Sequence, residues 1–186
     1  EEGMVSLSIV FEDLASNAGI TTTAVSDASA VTIDLTAPTL PSVTIVSSNT
    51  ADTGRANADD TITVSISASE AITRPSVIIA GQPGEMTDLG GAGTEWTAVY
   101  TVVTEDVSEG DASVLVVYED LASNNGATVS RVTDSSVVVI DLTAPTLPTV
   151  RITSDNFDRE PFSGAGVSDN TWANSGDTLT VTVDAD

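Results

Sequence analysis

Any chemistry in this chain has to be carried by carboxylates. Of its 186 residues 28 are Asp or Glu, the only cations are Arg55, Arg74, Arg131, Arg151 and Arg159, and Lys, His and Cys are absent. Without His or Cys there is no Ser-His-Asp triad, thiol nucleophile, imidazole base or thiolate metal site. Without Lys there is no Schiff-base chemistry. Two uses of a carboxylate remain: an acid–base pair of glycosidase type, or oxygen ligation of a hard cation such as Ca2+. A glycosidase needs a cleft lined with aromatics, whereas Trp96, Tyr100 and Tyr118 fall at core-facing positions, so no enzyme is expected. A net charge of −23 repels nucleic acid and anionic membranes, attracts divalent cations and keeps copies apart. Neither nucleic-acid binding nor direct membrane insertion of this segment is expected. The plain alternative for the acidity is a solvated coat suited to salty water.

The carboxylates recur at a fixed spacing. Glu12-Asp13-Leu14-Ala15-Ser16-Asn17 returns as Glu119 to Asn124, and Ile33 to Pro41 returns unchanged as Ile140 to Pro148, both 107 residues on. Two separated matches at one period indicate a tandem array of a unit the size of a small β-sandwich. The complete unit is read as residues 42–148. Residues 1–41 form the last third of a preceding unit and residues 149–186 the first third of a following one, so the chain is expected to be a window on a longer protein.

Period-two patterning says how the unit positions these groups. Ile62, Val64, Ile66 and Ala68 alternate with Thr and Ser, as do Trp96, Ala98, Tyr100 and Val102, and then Val114, Val116 and Tyr118. Glycine-rich and Asn-rich turns separate the runs, and no helical stretch persists. Seven strands are expected: 43–48, 61–68, 75–80, a short one near 86–88, 95–104, 112–119 and 134–142. The fold class is all-β, with antiparallel immunoglobulin-like β-sandwich repeats in tandem.

Alternating strand directions would bring the second–third and sixth–seventh turns to the end where the preceding unit enters. Asp34, Glu70, Glu119 and Asp120 would then crowd one joint, a set that suits Ca2+. Asp141 would take the part of Asp34 at the next joint, and Glu12 and Asp13 are the preceding counterparts of Glu119 and Asp120. The competing reading is that Asp120 supports an Asx-turn and all of these groups are hydrated. At the opposite pole Glu105, Asp106, Glu109 and Asp111 read as a solvated acidic turn. Pro38 and Pro41, with Pro145 and Pro148, restrict the linkers, so a bound cation would make the array a rod.

Asp-Leu-Thr-Ala-Pro-Thr at the junction, Ala68-Ser69-Glu70-Ala71-Ile72, Trp96 to Thr101 and Tyr118 to Asn124 occur in the order of the bacterial immunoglobulin-like repeats of large surface adhesins, which the whole chain resembles. The resemblance implies an extracellular tandem array at the cell surface that extends a terminal binding domain in cell adhesion, often with calcium at its joints. Its partners would be neighbouring repeats of the same chain. One departure stands out. The first-to-second strand connection runs from Asn49 to Asp60 in the complete unit but from Asn156 to Asp177 in the next, and adds Phe157, Phe162 and Trp172. An alternative function follows: a glycan- or protein-binding module built on loop 156–177. A filament subunit that exchanges strands with other copies is another.

Overall fold

A computed structural model describes residues 2–155, 173 and 175–184. Among these it contains fourteen strands and no helix. Contacts group residues 1–142 and 143–186 into two compact units. The short β1 (Gly3–Met4) and β2 (Thr32–Ile33) precede a four-stranded sheet of β3 (Ser42–Ser47), β5 (Thr61–Ser67), β9 (Glu95–Thr101) and β8 (Glu85–Gly90), hydrogen-bonded in that order and antiparallel throughout. The period-two pattern explains the central pair. Ile62, Val64 and Ile66 of β5 are buried while the Thr and Ser between them are half-exposed, and in β9 Trp96 and Ala98 turn inward to the same core.

Facing this sheet, β6 (Ser76–Ile79) pairs with β11 (Val114–Val117) on one side and with β7 (Gln82–Pro83) on the other. Val77, Ile79, Val114 and Val116 join the same core as Val43, Val64 and Ala98. A third set consists of β10 (Gly110–Asp111), β12 (Val139–Ile140) and β4 (Arg55–Ala56), with β12 parallel to β4. The chain is therefore all-β, in several mostly antiparallel sheets around one core, the construction of a β-sandwich.

Two expected strands differ from the pattern. The strand near 86–88 spans six residues, because backbone pairing with β9 holds Glu85–Gly90 where side-chain alternation is weak. The expected last strand, 134–142, is regular only at Val139–Ile140. Upstream of it Asp134-Ser135-Ser136 forms a turn. The Ser136 N–H donates to Asp134 Oδ1 (2.9 Å), and Ser135 takes a positive φ of 64°. On both sides of this turn the segment lies along the outer edge of β3. There Thr133 Oγ1 accepts from Val43 N–H and Ser136 Oγ accepts from Ile45 N–H, each at 3.0 Å. Thr133 N–H in turn donates to the Val43 carbonyl. An edge that would otherwise be open is thus closed by side chains.

The 107-residue period is a structural one as well. Gly3 pairs with Ile33 as Gly110 pairs with Ile140, and the Ile9–Thr22 bridge matches Val116–Val129. Ser16 and Ser123 take φ of 65° and 67°. In the second compact unit β13 (Thr149–Ser154) pairs with β14 (Leu179–Asp184). Thr149↔Asp184 and Ser154↔Leu179 repeat Ser42↔Ser67 and Ser47↔Ile62 once the ten added loop residues are set aside.

Gly126 lies flat against the Tyr118 ring, as Gly19 lies against Phe11, so a Cβ at either position would fall within ring atoms. Gly126→Ala is expected to lower the melting temperature of the chain, at a cost of about 1–3 kcal/mol for overpacking. Thermal unfolding followed by circular dichroism checks this, and an unchanged melt would mean that the ring is free to move away.

Candidate metal centre

The centre is built from the turn that follows β11. Tyr118 and Asp120 point inward and Glu119, between them, does not, as strand alternation requires. Asp120 is 1 % exposed, and a buried carboxylate must be hydrogen-bonded. Its Oδ1 accepts from Ala122 N–H (2.7 Å) and Asn124 N–H (2.9 Å), and its Oδ2 accepts from Asn124 Nδ2 (2.8 Å). Burial pushes the Asp120 carboxyl up. The bonds from the Asn124 side chain and backbone, with those from Ala122 and Ser123, outweigh it and hold the group below the usual aspartate value. Asp13 is caged in the same way by Ala15 and Asn17, but at an exposed site. The Asx-turn part of the competing reading holds for Asp120, whereas its hydration does not, since the carboxylate is buried; the turn does not compete with a place in the cluster.

The linker supplies the second group. Asp34 follows β2, and its Oδ1 accepts from Thr36 N–H (3.1 Å). Its backbone carbonyl accepts from Asn124 Nδ2 (3.1 Å), so one amide holds both the linker and Asp120. Further on, Thr39 and Ser69 exchange two bonds: Thr39 N–H to Ser69 Oγ (2.9 Å) and Ser69 N–H to the Thr39 carbonyl (2.9 Å). Pro38 and Leu40 are buried, and the Leu40 backbone hydrogen-bonds the Tyr118 hydroxyl. The Thr39–Ser69 exchange fixes the turn after β5 and places the third group, Glu70, beside the other two.

One carboxylate oxygen from each of Asp34, Glu70 and Asp120 lies within 4.8 Å of the other two. Asp34 and Glu70 are half-buried. Glu70 makes no hydrogen bond among the described residues, and its pKa is raised above the usual glutamate value. Burial is the main cause, followed by the charges of Asp34, Asp120 and Glu2. Glu2 is held by Leu35 N–H (2.9 Å) and the Thr36 hydroxyl (2.6 Å), which lower its own pKa. Two well-bonded anions therefore face one unbonded carboxylate that resists ionisation. Such an arrangement favours a proton or a hard cation.

The other expected ligands lie elsewhere. Glu119 is outside the cluster; its carbonyl accepts from Thr73 N–H. Glu12 and Asp13 are exposed. Asp141, the counterpart of Asp34, lies 3.8 Å from Arg55 Nη1. Glu109 Oε1 accepts from Leu142 N–H as Glu2 does from Leu35, a structural role rather than one in a free acidic turn. Phe157, Phe162 and Trp172 lie outside the described residues. Charge alone did not mark Asn124, Ser69 or Tyr118. Asn124 did carry a signal, since it closes the sextet that repeats unchanged.

Comparison with family models, with characterised proteins and with solved structures found no match.

Glu70 and Asp120 titrate stability in opposite directions. The raised Glu70 value means that its favourable contribution is full below the unfolded value and lost as pH rises through the folded one. The lowered Asp120 value means a contribution that is full above the unfolded value and lost as pH falls through the folded one. In chelator at low salt, Glu70→Gln is expected to melt above the parent at pH 7, with the difference closing below about pH 4. Asp120→Asn is expected to melt below the parent at pH 7 and to approach it in acid. Melting curves between these pH values check both signs.

Proposed function

We propose that this chain is an extender segment of a long secreted or surface-anchored adhesin or cell-surface fibre. Its immunoglobulin-like repeats are joined in tandem, and Ca2+ stiffens the joint between them. The observation that carries the reading is the meeting of Asp34, Glu70 and Asp120, one from the linker and two from turns of the unit it enters. The linker is also seated in that unit: Pro38 and Leu40 are buried, and Thr39 is paired to Ser69. A joint held at both its backbone and its core has few orientations open to it, and the three carboxylates repel within what remains. A divalent cation bound there would cancel the repulsion and join linker to turn through one ion. Ligand oxygens are available for it. Among the described residues the Glu70 carboxylate has no competing bond, and Asp120 Oδ2 accepts only one.

An extender accounts for the rest of the sequence economically. The carboxylate-only chemistry, the absence of catalytic His, Cys and Lys, and the 107-residue period fit a spacer better than a catalyst. No helix of the described residues is long and apolar enough to cross a membrane. The extracellular placement rests on the resemblance of the repeat motifs to bacterial surface adhesins. The acidic surface fits that setting through mutual repulsion of neighbouring arrays.

The test is calcium titration of the 186-residue chain by calorimetry and small-angle scattering. Melting temperature and maximum dimension are both expected to rise, with a gain of about 2.7 kcal/mol at a hundredfold excess over Kd. Asp34→Asn is expected to abolish both responses. Glu70→Gln is expected to start from a higher melt in chelator and gain nothing further from calcium. A parent chain indifferent to calcium would remove the cation from the joint and leave a hydrated acidic spacer.

A further inference from the structure

Asn125-Gly126 is the one place in the sequence where Asn is followed by Gly. The glycine matters chemically. With no Cβ in the way, its backbone nitrogen can reach the carboxamide carbon of the preceding side chain. Attack forms the N–Cγ bond and expels ammonia, leaving a five-membered succinimide. Water then opens the ring at either carbonyl and gives aspartate or isoaspartate; in the latter the main chain runs through Cβ and gains one carbon. The reaction needs only water and a base to take the amide proton. The Asn125 side chain is open to it, since the residue is exposed and its carboxamide makes no hydrogen bond among the described residues.

The nucleophile is held back. Gly126 N–H donates to the Tyr118 carbonyl (3.1 Å), Asn125 is bridged to Glu119, and Gly126 lies flat on the Tyr118 ring. The nitrogen can turn on Asn125 Cγ only when this segment peels away from Tyr118, so the rate follows the open fraction of the turn. That fraction is set one residue upstream. Asn124 Nδ2 ties the turn to Asp120 Oδ2 (2.8 Å) and to the Asp34 carbonyl (3.1 Å), and Asn124 N–H ties it to Asp120 Oδ1 (2.9 Å). Residues 107 positions earlier offer an internal comparison. There Gly19 lies on Phe11 and Ala18 is bridged to Glu12, the same arrangement without a reactive amide.

We propose that Asn125 is a deamidation site gated by the turn that seats residues 34–40, and that its conversion to isoaspartate releases that turn irreversibly. The extra main-chain carbon falls between the residue bridged to Glu119 and the residue stacked on Tyr118, so the two contacts go out of register. Asn124, next to it, then loses the fixed backbone that aims its amide at the Asp34 carbonyl. The product also carries one further negative charge close in sequence to Glu119 and Asp120. A segment seated by hydrogen bonds thus acquires a one-way release, timed by the opening of a single turn. The inference stands apart from the extender reading and from any cation, and its test is run in chelator.

The test is ageing of the 186-residue chain in mildly alkaline buffer, read by peptide mass spectrometry and by enzymatic methyl transfer to isoaspartate. Conversion at Asn125 is expected in the native chain, at least about tenfold slower than in urea. Asn124→Ala removes the amide bonds and keeps Asn125-Gly126, and is expected to speed native conversion by about tenfold while circular dichroism still shows a folded chain. Asp34→Asn keeps the carbonyl that Asn124 binds and is expected to age like the parent. The isoaspartyl form, resolved by chromatography, is expected to melt about 2–4 °C below the parent. Asn125→Asp, with the same charge and an ordinary main chain, is expected to melt like the parent. Equal rates in native and unfolded chains, or in Asn124→Ala and the parent, would remove the gate. An isoaspartyl form that melts with the parent, or no lower than Asn125→Asp, would remove the release. No conversion at Asn125, in urea or in the native chain over the ageing period, would overturn the site itself.

Discussion

A carboxylate removed from water has to be satisfied by fixed donors, and the segments around Asp120 are organised to meet that requirement. Two backbone N–H groups and one side-chain amide do so, and they can only if residues 120–124 close into a tight turn with Ser123 in the left-handed region. The turn in turn directs the Asn124 amide at the Asp34 carbonyl. The position of the linker therefore follows from the solvation needs of one aspartate. Removing that carboxylate would disturb a turn, a linker and an electrostatic cluster together, because all three share the Asn124 amide.

Glu70 stands in contrast. It is set into the same cluster by backbone bonds to its neighbour Ser69, while its own carboxylate is left without a donor. A fold optimised only for stability would place an amide or a hydroxyl there. An unbonded, partly desolvated carboxylate beside two anions carries a cost in stability, which the bonds around Asp120 and Ser69 offset. The same division holds along the last strand. Residues 130–137 give up a rung at Val114 and use their hydroxyls to close the edge of β3, so protection from uncontrolled sheet growth and the opening of a cavity come from one detour.

Much of this was legible in residue order. Ile62–Val64–Ile66 and Trp96–Ala98 could only be half-buried strands, because a period of two in apolar residues has no other low-energy use. The 107-residue repeat was visible in the order of residues, and the register of β13 with β14 matches that of β3 with β5 once the ten added residues are set aside. The meeting of Asp34, Glu70 and Asp120 followed from counting strand directions, since alternate turns of an antiparallel fold share a pole. Glu119 was wrongly grouped with Asp120 because pole and face are different things: adjacent residues of a strand share the first and never the second. Asp141 was matched to Asp34 by repeat position, but its side chain lies near Arg55, which no spacing rule would reveal.

The sequence by itself thus determined the elements, their period and the kind of chemistry open to the chain, because backbone sterics, side-chain alternation and a missing set of functional groups act locally or by composition. Tertiary structure alone decided which oxygen of which carboxylate is spoken for and where the last strand leaves its neighbour. Those outcomes depend on donors and walls brought from residues 30 to 90 positions away, as with Thr39 and Ser69 or Asn124 and Asp34. A hydrogen bond across such a distance leaves no pattern in the order of residues, because either partner would read the same without it.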